Sequence, residues 1–136
     1  MPLHPQLKAY LQAMEEMDIP PLETVDVATA RAMYEKGAAQ TAGEPITLHK
    51  VEDIAIPGPA GELRARLYRP GPEQNLPALV YFHGGGFTIG SIESHDCVCR
   101  TLAKEAHCLV VSVDYRLAPE HKYPAAVEDA WAACCW

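Results

Sequence analysis

Apolar positions along the chain change their period roughly one third of the way from the N-terminus. Up to residue 45 they recur at helical spacing: Leu7, Leu11 and Met14 form one stripe, and Val27, Ala30, Met33 and Tyr34 form another. Pro20 and Pro21 separate the two stripes. Thr24 or Asp26 is placed to open the second helix, and Gly37 or Gly43 to close it. From residue 51 the pattern becomes that of strands. Residues 51–56 lead through the turn-forming stretch 57–61 into 63–69, where Leu63, Ala65 and Leu67 alternate with Glu62, Arg64 and Arg66. Residues 79–82 and 109–113 are short continuous apolar runs, as expected of strands buried on both faces. Between them Ser94 is placed to cap a helix reaching about Ala106, with Val98, Leu102 and Ala106 inward. A strand–helix–strand unit of this kind makes a right-handed crossover with two parallel strands. A last helix begins near Pro124 and offers Val127, Ala130, Trp131 and Cys134 as its buried face.

The chain thus divides into a helical segment, 1–45, and an α/β unit, 46–136. The helical segment either packs as a layer on the rest or covers a cleft as a lid. With 136 residues, 49% apolar and 21% charged, there is enough material for one domain with a real core. The formal charge of −7 repels phosphate and excludes nucleic acid as a partner. The N-terminus has no basic stretch followed by an apolar run, so no signal peptide is expected, and nothing approaches the ~18 apolar residues of a membrane span. A cytoplasmic location follows, and five cysteines suit a reducing compartment. Cys97 and Cys99 lie near His95, but positions two apart on a helix diverge, and no zinc-type spacing is present. No metal and no cofactor is expected.

The chemistry is concentrated in His83-Gly84-Gly85-Gly86-Phe87, directly after a buried strand. Ester hydrolysis develops a negative oxygen in a tetrahedral intermediate, and backbone N–H groups aimed at it lower the barrier. Loss of one such donor costs about 3–4 kcal/mol. Gly85 and Gly86 are the expected donors, Gly84 gives the turn its freedom, His83 anchors the loop by hydrogen bonding, and Phe87 lines the acyl or alcohol pocket. Glycine runs also build plain tight turns and phosphate loops; the position after a buried strand favours the oxyanion reading.

The motifs extend further. Residues 77–87 are followed by Ser94-His95-Asp96, by Val113-Asp114-Tyr115-Arg116-Leu117-Ala118-Pro119-Glu120-His121, and by Pro124-Ala125-Ala126-Val127-Glu128-Asp129-Ala130. Over nearly its whole length the chain resembles the N-terminal part of the hormone-sensitive-lipase-like carboxylesterases of the α/β-hydrolase fold. The resemblance implies a mostly parallel sheet flanked by helices, a helical cap built partly from the N-terminus, and a Ser-Asp-His triad. It also implies hydrolysis of short- to medium-chain acyl esters, small-molecule substrates, without a cofactor. The family's nucleophile elbow, Gly-Asp-Ser-Ala-Gly, and the acid and base lie downstream of the last helix seen here. The serines present, Ser91, Ser94 and Ser112, stand in no Gly-x-Ser-x-Gly context. Ser94, His95 and Asp96 are adjacent and cannot align as nucleophile, base and orienting acid. Asp114, Tyr115 and Arg116 are expected to fix the turn after their strand, with Arg116 paired to Glu120, and His121 to make a structural hydrogen bond.

The expectation is therefore an N-terminal fragment of a carboxylesterase, carrying the oxyanion loop without the triad and inactive alone. Its strand 79–82 would present an unpaired edge, making the isolated chain unstable or self-associating. Two rival readings predict different behaviour: a non-catalytic module binding a ligand or partner, and one half of a split esterase completed by a second polypeptide.

Overall fold

A computed structural model describes residues 3–17 and 19–136. Helix α1 (Pro5–Glu16) and helix α2 (Val27–Thr41) flank a short 3-10 turn at Leu22–Thr24. Strands β1 (Lys50–Gly58), β2 (Gly61–Arg69) and β3 (Ala78–Phe82) follow, then α3 (Asp96–Glu105), β4 (Leu109–Val113) and α4 (Ala125–Cys135). The sheet order is β1-β2-β4-β3.

The sheet is mixed among the described residues. Strands β3 and β4 are parallel and joined across α3, whereas β2 pairs antiparallel with both β1 and β4. The antiparallel part arises because Pro59 and Ala60 alone connect β1 to β2, and so short a link can only make a hairpin. Pro57 and Gly58, read from sequence as turn, extend β1 opposite Glu62 and Gly61.

Alternation along the strands separates two cores. Ile56, Leu63, Ala65, Val111, Val113, Val80 and Phe82 pack with Ala133 of α4 on one face of the sheet. Tyr68, Val110, Leu79 and Tyr81 pack with Cys99 and Ala103 of α3 on the other. Burial of each such Val, Leu or Ile side chain is worth about 1.5–3 kcal/mol, so these two layers hold the sheet in place.

Both flanking helices are rotated relative to the sequence reading. In α3 the inward residues are Cys99 and Ala103, with the expected Leu102 partly buried beside them, while Val98 is 46% exposed and Ala106 also faces solvent. Asp96 causes this. Its carboxylate accepts from Tyr68 Oη at 2.8 Å and Arg66 Nη1 at 3.2 Å and pairs with Arg100 one turn on, which turns the 96–99–103 face to the sheet. Ser94 is not the helix cap; its Oγ accepts from Ser91 N–H at 2.8 Å within the preceding turn, and the helix begins after His95. In α4 the buried positions are Ala125, Asp129 and Ala133; Trp131 and Val127 point outward and Cys134 is exposed. Asp129 is fully buried because it accepts the Arg116 backbone N–H at 2.9 Å and pairs with the Arg116 guanidinium at 2.8 Å. Arg116 thus takes Asp129 rather than the expected Glu120 as its main partner.

The N-terminal segment differs in its attachment. The Leu7, Leu11 and Met14 stripe forms on α1, but no residue of that helix is buried. Helix α2 is capped by Asp26, which accepts from Thr29 N–H at 3.0 Å, and runs through Gly37 to end before Gly43, whose φ is +69°.

Candidate active site

The carboxyl ends of the parallel strands β3 and β4 lie side by side, the position where open α/β sheets bind ligands. The loop 83–90 leaves β3 there, and the segment 114–124 leaves β4. Side-chain alternation sends His83, after Leu79 and Tyr81, to the α3 face. It is 3% exposed and stacks on Tyr115 with ring centroids 4.4 Å apart, while His95 lies 5.6 Å away. Its Nδ1 is 2.9 Å from the Gly84 carbonyl. A carbonyl can only accept, so Nδ1 donates to it, and Nε2 is buried without a partner among the described residues. The Tyr115 hydroxyl donates to the His83 carbonyl at 2.6 Å, and the Ala118 N–H donates to the Phe87 carbonyl at 2.8 Å.

The loop's carbonyls are spoken for, whereas the N–H groups of its glycine turn are not. Gly85 O accepts from Thr88 N–H at 3.1 Å and Ile89 N–H at 3.0 Å, and Gly86 O from Thr88 Oγ1 at 3.3 Å. Among the described residues no protein acceptor meets the N–H groups of Gly85, Gly86 or Phe87. Three successive residues have left-handed or related φ values: +132° at Gly85, +60° at Gly86 and +61° at Phe87. A Cβ on Gly85 would collide with the Ile89 carbonyl. Consecutive N–H groups left free by such a turn form a concave donor surface able to receive an oxyanion.

Phe87 is 61% exposed and lines an apolar hollow of about 120 Å³ with Ala118, His121, Tyr123, Pro124, Ala126 and Val127. His121 donates its backbone N–H to the Leu117 carbonyl at 2.9 Å.

Two residues the sequence reading passed over reach this loop from α2. Arg31 Nε donates to the Thr88 carbonyl at 2.8 Å, and its Nη2 to the Ala118 carbonyl at 2.9 Å and Glu120 Oε2 at 2.7 Å. That guanidinium holds the Glu120 carboxyl down to about 2. Glu35, one turn on, accepts from Ser91 Oγ at 2.6 Å. A charge bordering the Val27, Ala30, Met33 and Tyr34 stripe was the only trace of these roles in the sequence.

None of the three serines stands as a nucleophile. Ser112 is fully buried in β4, Ser91 is bound to Glu35, and Ser94 Oγ accepts from Ser91 N–H. Ser94 Oγ also lies 3.0 Å from His95 Nδ1, but no carboxylate hydrogen-bonds the His95 ring to orient it. Burial first, and then the neighbouring His83, push the His95 imidazole below its ordinary value. Burial also raises Asp114, against the pull of Arg64, and raises Tyr115. Among the described residues no group of three His, Cys, Asp or Glu side chains is arranged to hold a metal. No helix there is long and apolar enough to cross a membrane.

A crossover of parallel strands with a glycine loop and free amides at its carboxyl end is the arrangement of an α/β hydrolase. A family model described as alpha/beta hydrolase fold matches residues 79–136. The chain is 42% identical over 134 residues to the carboxylic ester hydrolase LipN of Mycobacterium tuberculosis, covering 98% of this chain and 36% of that protein. It is 38% identical to the ethyl acetate hydrolase of Pseudomonas putida, covering 100% of this chain and 45% of that one. The solved structure of a hyperthermophilic esterase from the archaeon Pyrobaculum calidifontis superposes with a TM-score of 0.90 at 52% identity, covering 100% of this chain and 44% of the other. The chain belongs to the hormone-sensitive-lipase-like carboxylesterase family of the α/β-hydrolase fold. It spans less than half the length of these relatives.

Proposed function

We propose that this polypeptide supplies the oxyanion-stabilising portion of a cytoplasmic carboxylic ester hydrolase, with residues 1–45 serving as part of its cap. Gly85 and Gly86 donate to the developing oxyanion, Gly84 lets the chain turn away from β3, and His83 anchors the loop. Phe87 borders the site for the acyl or alcohol group. The reading rests on one observation above all: adjacent N–H groups without protein acceptors, at the carboxyl end of β3. A hollow of about 120 Å³ beside Phe87 suits a short acyl group; a cavity of about 150 Å³ holds a benzene ring. The nucleophile, acid and base belong to the part of the relatives that this chain does not span, so the chain alone should turn nothing over.

The test is hydrolysis of p-nitrophenyl acetate and butyrate. The 136-residue chain would be assayed alone and mixed with the remaining portion of the Pyrobaculum calidifontis esterase, taken from where the match ends. Activity only on mixing is the expected result. Turnover by the chain alone would sink the assignment of the triad elsewhere. Saturable ligand binding with no activity in either mixture would favour a binding module.

A further inference from the structure

Helix α2 presents Arg31 and Glu35 one turn apart, and these two side chains grip the outgoing side of the glycine loop and the residue that follows it. Arg31 takes the Thr88 carbonyl, and Glu35 takes the Ser91 hydroxyl. Arg31 does more than touch the loop. Its Nη2 also reaches the Ala118 carbonyl, whose own residue's N–H binds the Phe87 carbonyl at 2.8 Å. Both Nη atoms close on Glu120, Nη1 at 2.9 Å to Oε1 and Nη2 at 2.7 Å to Oε2. One planar guanidinium therefore ties α2, the glycine loop and the segment after β4 together at the point where Gly85, Gly86 and Phe87 take up positive φ. Such a run of conformations is unfavourable for a non-glycine residue such as Phe87 and persists only when the surroundings enforce it.

We propose that Arg31, supported by Glu35, is a positioning residue that holds the glycine loop in its oxyanion-binding shape, so that α2 is a fixed clamp on the active site and not a lid that lifts from it. The catalytic consequence rests on the oxyanion reading of the loop; the clamp itself does not. A lid must release its contacts to open, whereas these contacts set the loop's carbonyls and thereby the direction of its free N–H groups. Lysine cannot replace the fork: one ammonium lacks the planar spread that meets two carbonyls and a bidentate carboxylate at once.

Hydrogen exchange read by mass spectrometry on the full 136-residue chain tests this without any need for turnover. Peptides covering 83–91 and 116–121 should exchange at least tenfold faster in Arg31→Ala and in Arg31→Lys, with β2 and β4 peptides unchanged. Added guanidinium ion should restore protection in Arg31→Ala. Unchanged exchange in the loop overturns the clamp. If Arg31→Ala loosens the whole chain, Glu120→Gln and Glu35→Gln decide: the first must raise exchange around 116–121 and the second around 88–91, each locally, and a uniform rise across the sheet refutes the proposal. In an enzyme completed as above, loss of Arg31 should lower kcat with KM nearly unchanged, because the oxyanion forms only in the transition state. Should mixing yield no activity while the loop-confined exchange is observed, the functional reading fails and the clamp stands.

Discussion

A methyl group added at the three consecutive glycines 84–86 meets different surroundings at each. At Gly84 nothing lies within 4 Å and φ is not positive; at Gly86 the space is open but φ is +60°. Gly85 combines a φ of +132° with a collision against the Ile89 carbonyl, a backbone atom that cannot swing aside. Replacement by alanine should therefore cost little at Gly84, within ~0.5 kcal/mol, and about 1–2 kcal/mol at Gly86. At Gly85 the cost should exceed about 2 kcal/mol, since strain and overlap add. Urea denaturation of the three variants checks the order, and an equal effect at Gly84 and Gly85 would contradict the loop shape. The free amides after β3 were legible because a glycine run directly behind a buried strand is where such a turn can form. Arg31 and Glu35 were not legible, because their partners lie 57 and 56 positions away in sequence. Charged residues on a helix bordering an apolar stripe read as solvent-facing until the fold brings a partner to them.

Element existence and order follow from the hydrophobic period, yet the helix faces do not. Both α3 and α4 turn an aspartate toward the sheet, Asp129 fully buried and Asp96 partly so, and apolar spacing alone carries no signal for either. Asp129 answers Arg116, and Asp96 answers Arg66, Tyr68 and Arg100. Polar partners outside a helix can thus set its rotation by an amount that apolar spacing alone cannot reveal. The α3 face also carries a pH dependence. Hydrogen bonds from Arg66 and Arg64 hold Asp53 below the usual carboxylate range, and Arg64 does the same for Glu93. Asp96 is lowered too: burial opposes the shift, but Arg100 and Tyr68 outweigh it. For these groups the unfolded chain binds protons more readily, so their stabilisation is present above about pH 4.5 and is lost as pH falls toward their folded values. His95, lowered by burial, has the same sign but acts earlier, from about pH 6.5 downward. Asp114, raised by burial, has the opposite sign: its contribution to stability is lost as pH rises through its folded value, which partly offsets the loss on acidification. Thermal melts should therefore show Tm falling in two stages on acidification, first below about pH 6.5 and then below about 4.5. His95→Gln should remove the upper stage and leave the lower one; a single stage in the parent chain would count against the lowering of the partly buried His95 imidazole.

At the scale of the molecule, the sheet stops at β3, which pairs with β4 on one side and, among the described residues, with nothing on the other. The neighbouring surface is apolar: Trp131 is 73% exposed, Val127 53% and Trp136 62%. The relatives extend well beyond the matched region, so in a protein of their length an open strand edge and an uncovered apolar face have further chain available to cover them. In the 136-residue chain by itself they form a template for strand pairing between copies. Sedimentation velocity should accordingly show association that grows with concentration, reduced when the remaining portion of the Pyrobaculum calidifontis esterase is added. The same event has an optical signature, because the two tryptophans of the chain, Trp131 in α4 and Trp136 just after it, are both exposed. Complementation should shift their emission to shorter wavelength as they leave water, and Trp131→Gln should weaken assembly without disturbing the core cluster around Val111 and Ala133, which Trp131 does not enter. A chain that stays monomeric at all concentrations, with tryptophan emission unmoved by its complement, would show that this face is finished as it stands.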